Sequence, residues 1–261
     1  MTAEPSLWTA AQVTAPRAED LELSVVVPVK NEVENIRTLV TEIAAALAPM
    51  AAFEIVYVDD GSDDGTDREL AKAARDEPRL RVLRHGRSGG QSAALRTGIL
   101  GARAPLVATL DGDGQNDPAD LPALLDRFRA EPPRTRLALV GGDRSKNRRD
   151  GWTKRQSSRI ANAVRGALLG DRTPDTGCGL KVFRRDAYLL LPYFDHQHRF
   201  LAALFLREGF TVRSLPVGHR PRTRGRSKYG TLDRLAVGVV DLFGLLWLGR
   251  RRRSVAAIEE R

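Results

Sequence analysis

The chain contains very little cysteine: Cys178 is the single one among 261 residues. One cysteine excludes both an intrachain disulfide framework and a metal site built from several cysteines. The first residues also lack the basic and then apolar order of a secretory signal peptide. We therefore expect a protein of a reducing, cytoplasmic setting.

Two nucleotide-binding motifs and a long apolar run are missing as well. Neither G-x-G-x-x-G nor G-x-x-x-x-G-K-[ST] occurs, so dinucleotide-binding and P-loop folds lose their main support. Residues 235–249 are apolar apart from Asp241, and this stretch is shorter than the roughly 20 residues that span a bilayer. Trp247 and the arginines at 250–253 favour a helix lying on an anionic membrane surface. Packing against the domain or a partner subunit is the alternative.

Charge is distributed unevenly along the chain. Residues 1–120 contain 12 Lys and Arg against 20 Asp and Glu, whereas residues 121–261 contain 30 against 13. A basic half beside clustered carboxylates suits an anionic substrate or an anionic surface. The pI near 10.3 also suggests a non-enzymatic nucleic-acid binder as an alternative. We expect no nucleic acid partner, because the chain lacks interleaved aromatic residues and any recognised binding module.

Strand and helix patterns alternate along the chain. The predicted strands cover 22–29, 53–58, 80–83, 106–110, 137–141 and 211–217, and the predicted helices 34–47, 67–75, 91–102, 121–130, 160–169 and 200–208. Such alternation indicates an α/β fold with a mainly parallel sheet flanked by helices. We expect a mobile tail at 1–20, one domain at 21–230, and an amphipathic helix with a basic tail at 231–261. Thr66 is the predicted N-cap of the second helix, and residues 88–91 match a capping box for the third.

Polar groups follow three of the predicted strands, at residues 28–32, 59–62 and 111–115. Ligands of parallel sheets bind beyond the carboxyl ends of the strands. We therefore expect these three segments to converge on one site.

The third segment carries two carboxylates one residue apart. Residues i and i+2 of a strand share a face, so Asp111 and Asp113 should point the same way. Together with the amide oxygen of Gln115 they suit Mg²⁺ or Mn²⁺ that also binds phosphate. A polar turn that caps the strand is the alternative. A calcium loop is excluded, because Asn116 and Pro122 replace the glycine and glutamate that it requires.

Six motifs, in order along the chain, resemble those of family 2 glycosyltransferases, and among them the polyprenyl-phosphate sugar transferases such as dolichol-phosphate mannose synthase. They are V-V-V-P-V-K-N-E (25–32), V-D-D-G-S-D-D-G-T (58–66), G-Q-S-A-A-L-R-T-G (90–98), L-D-G-D-G-Q-N-D-P (110–118), D-T-G-C-G-L-K-V-F-R-R (175–185) and R-T-R-G-R-S-K-Y-G (222–230). The resemblance implies a GT-A-type, Rossmann-like fold, a GDP- or UDP-sugar donor, Mg²⁺ or Mn²⁺, and a polyprenyl-phosphate acceptor.

The resemblance also implies a role for each matching residue. The residues implied around the nucleotide are Pro28, Lys30, Glu32, Asp59, Asp111 and Gly112. Asp113 and Gln115 would hold the metal, and the implied phosphate-binding cations are Arg144, Arg222 and Lys228. Asp175 falls where the family is suspected to orient the acceptor or to place a base. A turn residue of the Gly-rich bend is the alternative for Asp175.

The expected activity is an inverting, metal-dependent sugar transfer to polyprenyl phosphate. The alternative is a transferase of the same fold that acts on a saccharide or another soluble acceptor. A processive polymer synthase is not expected, because the chain contains no Q-x-x-R-W motif. We expect a peripheral protein at the cytoplasmic face of the membrane, with a small integral-membrane partner or a second copy as further partners.

Overall fold

The computed structural model describes residues 18–49, 52–145, 166, 168, 170–171, 173–221 and 231–251. The chain divides into two compact units, residues 1–149 with 173–225 and residues 150–172 with 226–261. The domain boundaries predicted from the sequence stay predictions. Most of the helix predicted at 160–169 lies outside the described residues.

The first unit contains a seven-stranded sheet. Its strands are β1 Leu23–Val29, β2 Phe53–Asp59, β3 Leu80–Arg84, β4 Leu106–Thr109, β5 Leu137–Asp143, β6 Lys181–Arg184 and β7 Thr211–Pro216. Their order across the sheet is β3-β2-β1-β4-β6-β5-β7. In this sheet β6 alone runs antiparallel to its neighbours β4 and β5. The sequence analysis did not predict β6 as a strand, whereas the other six were predicted to within two residues at each end.

The two central strands explain why the sheet forms where it does. All seven residues of β1 and all seven of β2 are buried. Their runs of β-branched residues are typical of parallel strands that helices cover on both faces. The two strands pair in register from Leu23 with Phe53 to Val29 with Asp59. Their carboxyl ends therefore lie side by side at one edge of the sheet.

Helices connect most of the strands. They are α1 Ile36–Leu47, α2 Thr66–Asp76, α3 Gln91–Gly101, α4 Leu121–Arg129, α5 Arg185–Leu189, α6 Leu201–Arg207 and, in the second unit, α7 Thr231–Arg250. The apolar residues of α1 recur at helical spacing and are buried together on one face: Ile36, Leu39, Val40, Ile43 and Leu47. No helix in the described part of the chain has both the length and the apolar character needed to cross a membrane.

Two predicted helix caps are wrong. Helix α2 begins at Thr66 itself with Gly65 as its N-cap, and the Thr66 hydroxyl donates to Asp64 Oδ1 at 2.6 Å. Helix α3 follows Gly90, and the Ser88 hydroxyl donates to Asp60 Oδ2 at 2.6 Å. In both places the hydroxyl donates a hydrogen bond to an aspartate outside the helix. The predicted bond to a backbone N–H of the first helical turn is therefore not made.

Candidate active site

The three polar segments meet at the carboxyl edge of β1, β2 and β4. The backbone N–H of Asp60 donates to Val29 O at 2.8 Å, which joins the first two segments. A Cβ on Gly112 would lie 2.3 Å from Val29 Cγ1 and 3.0 Å from Pro28 O, so the third segment passes directly against the first. This close approach requires glycine at position 112. The predicted convergence therefore appears in the folded chain.

The side chain of Asp59 is fully buried at this edge, and one of its two carboxylate oxygens accepts no hydrogen bond. Its Oδ1 accepts a hydrogen bond from the backbone N–H of Ser62 at 2.9 Å. Its Oδ2 has no hydrogen-bond partner. Arg84 Nε lies 3.2 Å from that oxygen, and this contact is an ion pair without hydrogen-bond geometry. Buried carboxylate oxygens are normally hydrogen-bonded, so Asp59 Oδ2 has acceptor capacity that the protein's own hydrogen bonds leave unused.

The neighbouring Asp60 is fully supplied with donors. It accepts from Ser88 Oγ at 2.6 Å, from the backbone N–H groups of Gly89 and Gly90 at 2.8 Å each, and it contacts His85 Nδ1 at 2.7 Å. Burial acts to raise the pKa of Asp60, but these hydrogen bonds hold it below its usual value. Asp60 therefore ties the end of β2 to the loop before α3.

The loop after β1 is hydrogen-bonded to Ser62 of the second segment and to Thr66 at the start of α2. Asn31 adopts a left-handed backbone conformation with φ of +54°, and its N–H donates to Ser62 Oγ at 2.9 Å. The N–H of Glu32 donates to Thr66 Oγ1 at 3.0 Å. Lys30 is half-buried in this loop. The predicted nucleotide-binding residues 28–32 thus belong to the same edge as Asp59.

Asp111 and Asp113 are held in one loop by different contacts. Asp111 Oδ1 accepts from Gln91 Nε2 at 2.9 Å, and its backbone N–H donates to the buried Asn116 Oδ1 at 3.0 Å. Asp113 Oδ1 accepts from the backbone N–H of Gln115 at 3.1 Å. The sequence analysis gave Gln91 no site role, because only the fold brings the start of α3 to the end of β4.

The Gly-rich turn before β6 covers the Asp111 carboxylate. A Cβ on Gly179 would lie 2.3 to 2.7 Å from three carboxylate atoms of Asp111, and Thr109 Oγ1 donates to Gly179 O at 2.7 Å. Burial and the charge of Asp113 raise the pKa of Asp111, against the opposing pull of two nearby cations and Gln91. Position 179 therefore admits only glycine unless Asp111 moves.

Arg144 and Asp175 form a bidentate ion pair. Arg144 Nε and Nη2 donate to Asp175 Oδ2 at 2.8 Å and Oδ1 at 3.1 Å, and the Arg144 backbone N–H donates to Oδ2 at 3.3 Å. The two side chains are 12% and 8% exposed. Burial acts to lower the pKa of Arg144, but the partner carboxylate raises it above its ordinary value. The sequence analysis named both residues and did not pair them.

A buried lysine supports the same turn. Lys181, 6% exposed, donates through Nζ to Thr176 O at 3.3 Å and to Cys178 O. Burial lowers the pKa of Lys181 and raises the pKa of the Cys178 thiol. The buried, neutral thiol fits a small packing side chain and not a nucleophile. No sequence signal distinguished Lys181 from the many exposed basic residues.

The oxygen ligands of this loop fit a magnesium or manganese ion that takes its remaining ligands from a substrate and water. Among the described residues no three His, Cys, Asp or Glu side chains come together as a metal cluster. Asp111 and Asp113 therefore supply at most two protein carboxylates. Mg²⁺ is commonly held by one or two carboxylates together with substrate phosphates and water.

Two of the predicted phosphate-binding residues, Arg222 and Lys228, lie outside the described residues. The segment just before them is anchored beside the carboxylate loop. Arg220 N–H donates to Gln115 O at 3.0 Å, and its guanidinium donates to Asp117 Oδ1 and Glu42 Oε2 at 2.7 Å each.

Comparison with known proteins decides the family. The profile of glycosyl transferase family 2 matches residues 24–190, which is more than half of the chain. The chain belongs to glycosyl transferase family 2. The prediction that it is a glycosyltransferase is therefore confirmed.

Curated relatives of this family 2 chain extend the match. Dodecaprenyl-phosphate galacturonate synthase of Rhizobium johnstonii is 36% identical over 237 residues, which cover 89% of this chain and 68% of that protein. Undecaprenyl-phosphate 4-deoxy-4-formamido-L-arabinose transferase of Aeromonas hydrophila is 34% identical over 222 residues, which cover 82% and 64%. The chain thus spans about two thirds of the length of these relatives.

A solved structure supports the fold. Glucosyl-3-phosphoglycerate synthase from Mycobacterium tuberculosis, in complex with Mn²⁺ and UDP-glucose, matches with a TM-score of 0.63 and 18% identity over 88% of this chain and 79% of that chain. At this identity the likeness concerns the fold alone. The predicted GT-A-type fold of the family 2 chain is confirmed.

Proposed function

We propose that the chain transfers a sugar from a nucleotide-sugar donor to a polyprenyl phosphate, with inversion and with Mg²⁺ or Mn²⁺. The observation that carries the proposal is the pair of strand-end carboxylates, Asp111 and Asp113, beside the Arg144–Asp175 ion pair. Such a site combines groups for a metal-bound diphosphate with a buried cation for a second phosphate. The names of the curated relatives support a polyprenyl-phosphate acceptor.

Asp59 supports the donor side of the proposal. Its buried Oδ2 has no hydrogen-bond partner, and it would accept from an N–H of the base or a hydroxyl of the ribose. Pro28, Lys30 and Glu32 belong to the same edge and would enclose the nucleotide. Asp60 takes no part in binding, because its oxygens already accept from the protein.

In this proposal Asp113 and Gln115 hold the metal, and Asp111 faces the nucleotide. When bound, the metal neutralises the charge that develops on the departing nucleoside diphosphate. The backbone of Gln115 keeps the loop in place through its bonds to Asp113 and Arg220. Gln91 and Gly179 orient the Asp111 carboxylate from two sides.

The acceptor needs charge stabilisation more than proton removal. A phosphate monoester has a second pKa near 6, so it is largely a dianion at neutral pH and already a nucleophile. Arg144, Arg222 and Lys228 would hold its oxygens by charge-assisted hydrogen bonds. Attack from the face opposite the leaving diphosphate, through an oxocarbenium-like transition state, inverts the anomeric centre.

A donor and acceptor screen tests the proposal. Purified protein with Mn²⁺ is incubated with each of several UDP- and GDP-sugars and a short polyprenyl phosphate, and products are identified by mass spectrometry. We expect one donor to give a glycosyl polyprenyl phosphate, with loss of product when a chelator is added. Transfer to free saccharides or to a soluble phosphorylated acceptor, with none to polyprenyl phosphate, would establish the alternative activity.

Helix α7 supports a place at the membrane surface. Val240, Phe243 and Trp247 are 70%, 68% and 59% exposed, and their spacing puts them on one face. Arg250 and Arg251 follow that face. We propose that it binds anionic lipid at the cytoplasmic face of the membrane. Full-length protein should sediment with phosphatidylglycerol vesicles, and Phe243→Ser with Trp247→Ser should abolish this. Sedimentation that the double variant retains, or an apolar-face-dependent dimer without lipid binding, would contradict it.

A further inference from the structure

We infer that Asp175 is a positioning residue for Arg144, which it aims at the acceptor phosphate, and that it is not the base of the reaction. The inference rests on the proposed function, because it assumes an acceptor that carries a phosphate. It goes further by giving Asp175 one role where the motif alone allowed several.

The ion pair leaves the guanidinium oriented and still able to bind. Arginine has five N–H donors in a planar fork. Asp175 takes one from Nε and one from Nη2, so three N–H groups remain for another anion. Because both carboxylate oxygens are engaged, the plane of the guanidinium is fixed by the carboxylate. This two-point contact is what presents a planar fork to a phosphate.

The same contacts make Asp175 a poor base. Its two oxygens accept three hydrogen bonds from Arg144, counting the backbone N–H. Taking up a proton would replace a nearly buried, charge-assisted pair by a neutral acid facing an unpaired cation. A phosphate nucleophile has no proton that must be removed at neutral pH. The reaction therefore gains from the charge of the pair and not from its basicity.

The frame that carries Asp175 is rigid. Lys181 Nζ donates to two carbonyl oxygens of the turn, those of Thr176 and Cys178. Thr109 Oγ1 holds Gly179 O against the end of β4. A positioning group needs such support, because small displacements of the group that it orients cost binding energy.

The acceptor is the phosphate that most needs Arg144. The donor diphosphate meets the metal-binding loop of Asp113, whereas the acceptor phosphate has no metal of its own. A fixed guanidinium supplies the missing positive charge. Arg144 therefore binds the acceptor phosphate. Binding of the donor diphosphate instead is the alternative that the experiment distinguishes.

A double-mutant cycle tests the inference. Arg144→Gln, Asp175→Asn and the double variant are compared with the unmodified protein for kcat and for the KM of acceptor and donor. We expect Asp175→Asn to raise the acceptor KM roughly tenfold or more, the size of one lost charge-assisted hydrogen bond, with a much smaller change in kcat. Because Asp175 acts through Arg144, the double variant should match Arg144→Gln. A kcat of the double variant at least tenfold below that of Arg144→Gln, or a rise confined to the donor KM, would overturn the inference.

The control is an exposed ion pair outside the site, between Arg184 and Asp186. Arg184→Gln with Asp186→Asn should leave both KM values unchanged. If Asp175→Asn does not fold, Asp175→Glu replaces it in the cycle, since it keeps the charge and displaces it by one methylene. It should raise the acceptor KM and should also have no effect once Arg144 is glutamine. If the unmodified protein transfers only to a soluble acceptor, the proposed function is wrong, and the same cycle with that acceptor decides the role of Asp175.

Discussion

Two pairs of aspartates lie at the carboxyl edge of the sheet, Asp59 and Asp60 at the end of β2 and Asp111 and Asp113 after β4. The two pairs differ in the hydrogen-bond donors that surround them. After β2, Asp60 accepts four contacts from Ser88, Gly89, Gly90 and His85. After β4, Asp113 Oδ1 accepts from the N–H of Gln115 in its own loop. Burial raises the pKa of Asp111, whereas hydrogen bonds outweigh burial and lower the pKa of Asp60.

The difference lies in how many donors the protein itself supplies to each carboxylate. Two backbone N–H groups and a hydroxyl converge on Asp60, so hydrogen bonds stabilise its charge inside the protein and its contacts join two loops. The Asp111 carboxylate lies against Gly179 and meets one amide donor. A carboxylate with few protein donors favours an external cation, because its charge is otherwise left poorly solvated. The residue type is the same and both carboxylates follow a parallel strand within two residues, whereas the surrounding donors differ.

The largest expected effect is on catalysis at the second pair. Asp113→Asn should lower kcat/KM by roughly 10²–10³, the usual loss when one group that stabilises a transition state is removed. The free energy of unfolding should change by only about 1 kcal/mol or less, because the amide oxygen of asparagine can still accept from the Gln115 N–H. Steady-state transfer with Mn²⁺ and urea unfolding give the two values. Asp126→Asn on α4, where the side chain is 59% exposed, is the control and should leave transfer unaltered. Full activity of Asp113→Asn in excess chelator would disprove a metal role.

The next largest effect is a difference between Asp60 and Asp59 in their contributions to stability and to donor binding. Asp60→Asn should lower the free energy of unfolding by about 2–4 kcal/mol, because several charge-assisted hydrogen bonds weaken together. Asp59→Asn should cost less stability but should weaken donor binding by roughly tenfold, since in the proposed function its buried Oδ2 accepts from the donor nucleotide. Urea unfolding and titration with the donor nucleotide measure the two effects. Equal losses of stability in Asp60→Asn and Asp59→Asn, together with equal donor affinity, would contradict the proposed difference between the two residues.

The acid dependence of stability sharpens the same comparison. The pKa of Asp60 is lower in the folded chain than in the unfolded one, so its stabilisation is complete above the unfolded value near 4. That stabilisation is lost as the pH falls below about 4 and through the folded pKa. Asp60→Asn should therefore show a shallower loss of stability between about pH 4 and pH 2, measured by urea unfolding. Parallel curves for both proteins would show that Asp60 contributes nothing to acid sensitivity.

The smallest effect comes from the glycine against Asp111. Gly179→Ala places a Cβ within 2.7 Å of the carboxylate, so Asp111 must shift and donor affinity should fall by a few-fold, about 0.5–1 kcal/mol. Gly141→Ala is the matched control, because a Cβ there meets no atom within 4 Å. Isothermal titration with the nucleoside diphosphate and Mn²⁺ compares them. Equal affinities of the two variants would show that the contact does not constrain Asp111.

Local pattern was enough to predict most elements and the meeting of the three polar segments. The helical spacing of Leu39, Val40 and Ile43 set the buried face of α1, because a period of 3.6 residues allows one apolar face. The hydroxyls of Thr66 and Ser88 were assigned wrongly, since each donates to an aspartate outside its helix: Asp64, two residues before Thr66, and Asp60, 28 residues before Ser88. Strand β6 was missed because two of its four residues, Lys181 and Arg184, are charged and because it follows a glycine-rich turn.

By itself the sequence determined the α/β architecture, the edge of the sheet that carries the site, and the family. These follow from periodicity and motif order, which act over a few residues at a time. Tertiary structure decided which carboxylates are already satisfied. It also paired Arg144 with Asp175, 31 residues apart, and buried Lys181 beneath the turn. Hydrogen bonds and ion pairs depend on distances of about 3 Å, and only the folded chain brings residues so far apart in sequence within that range.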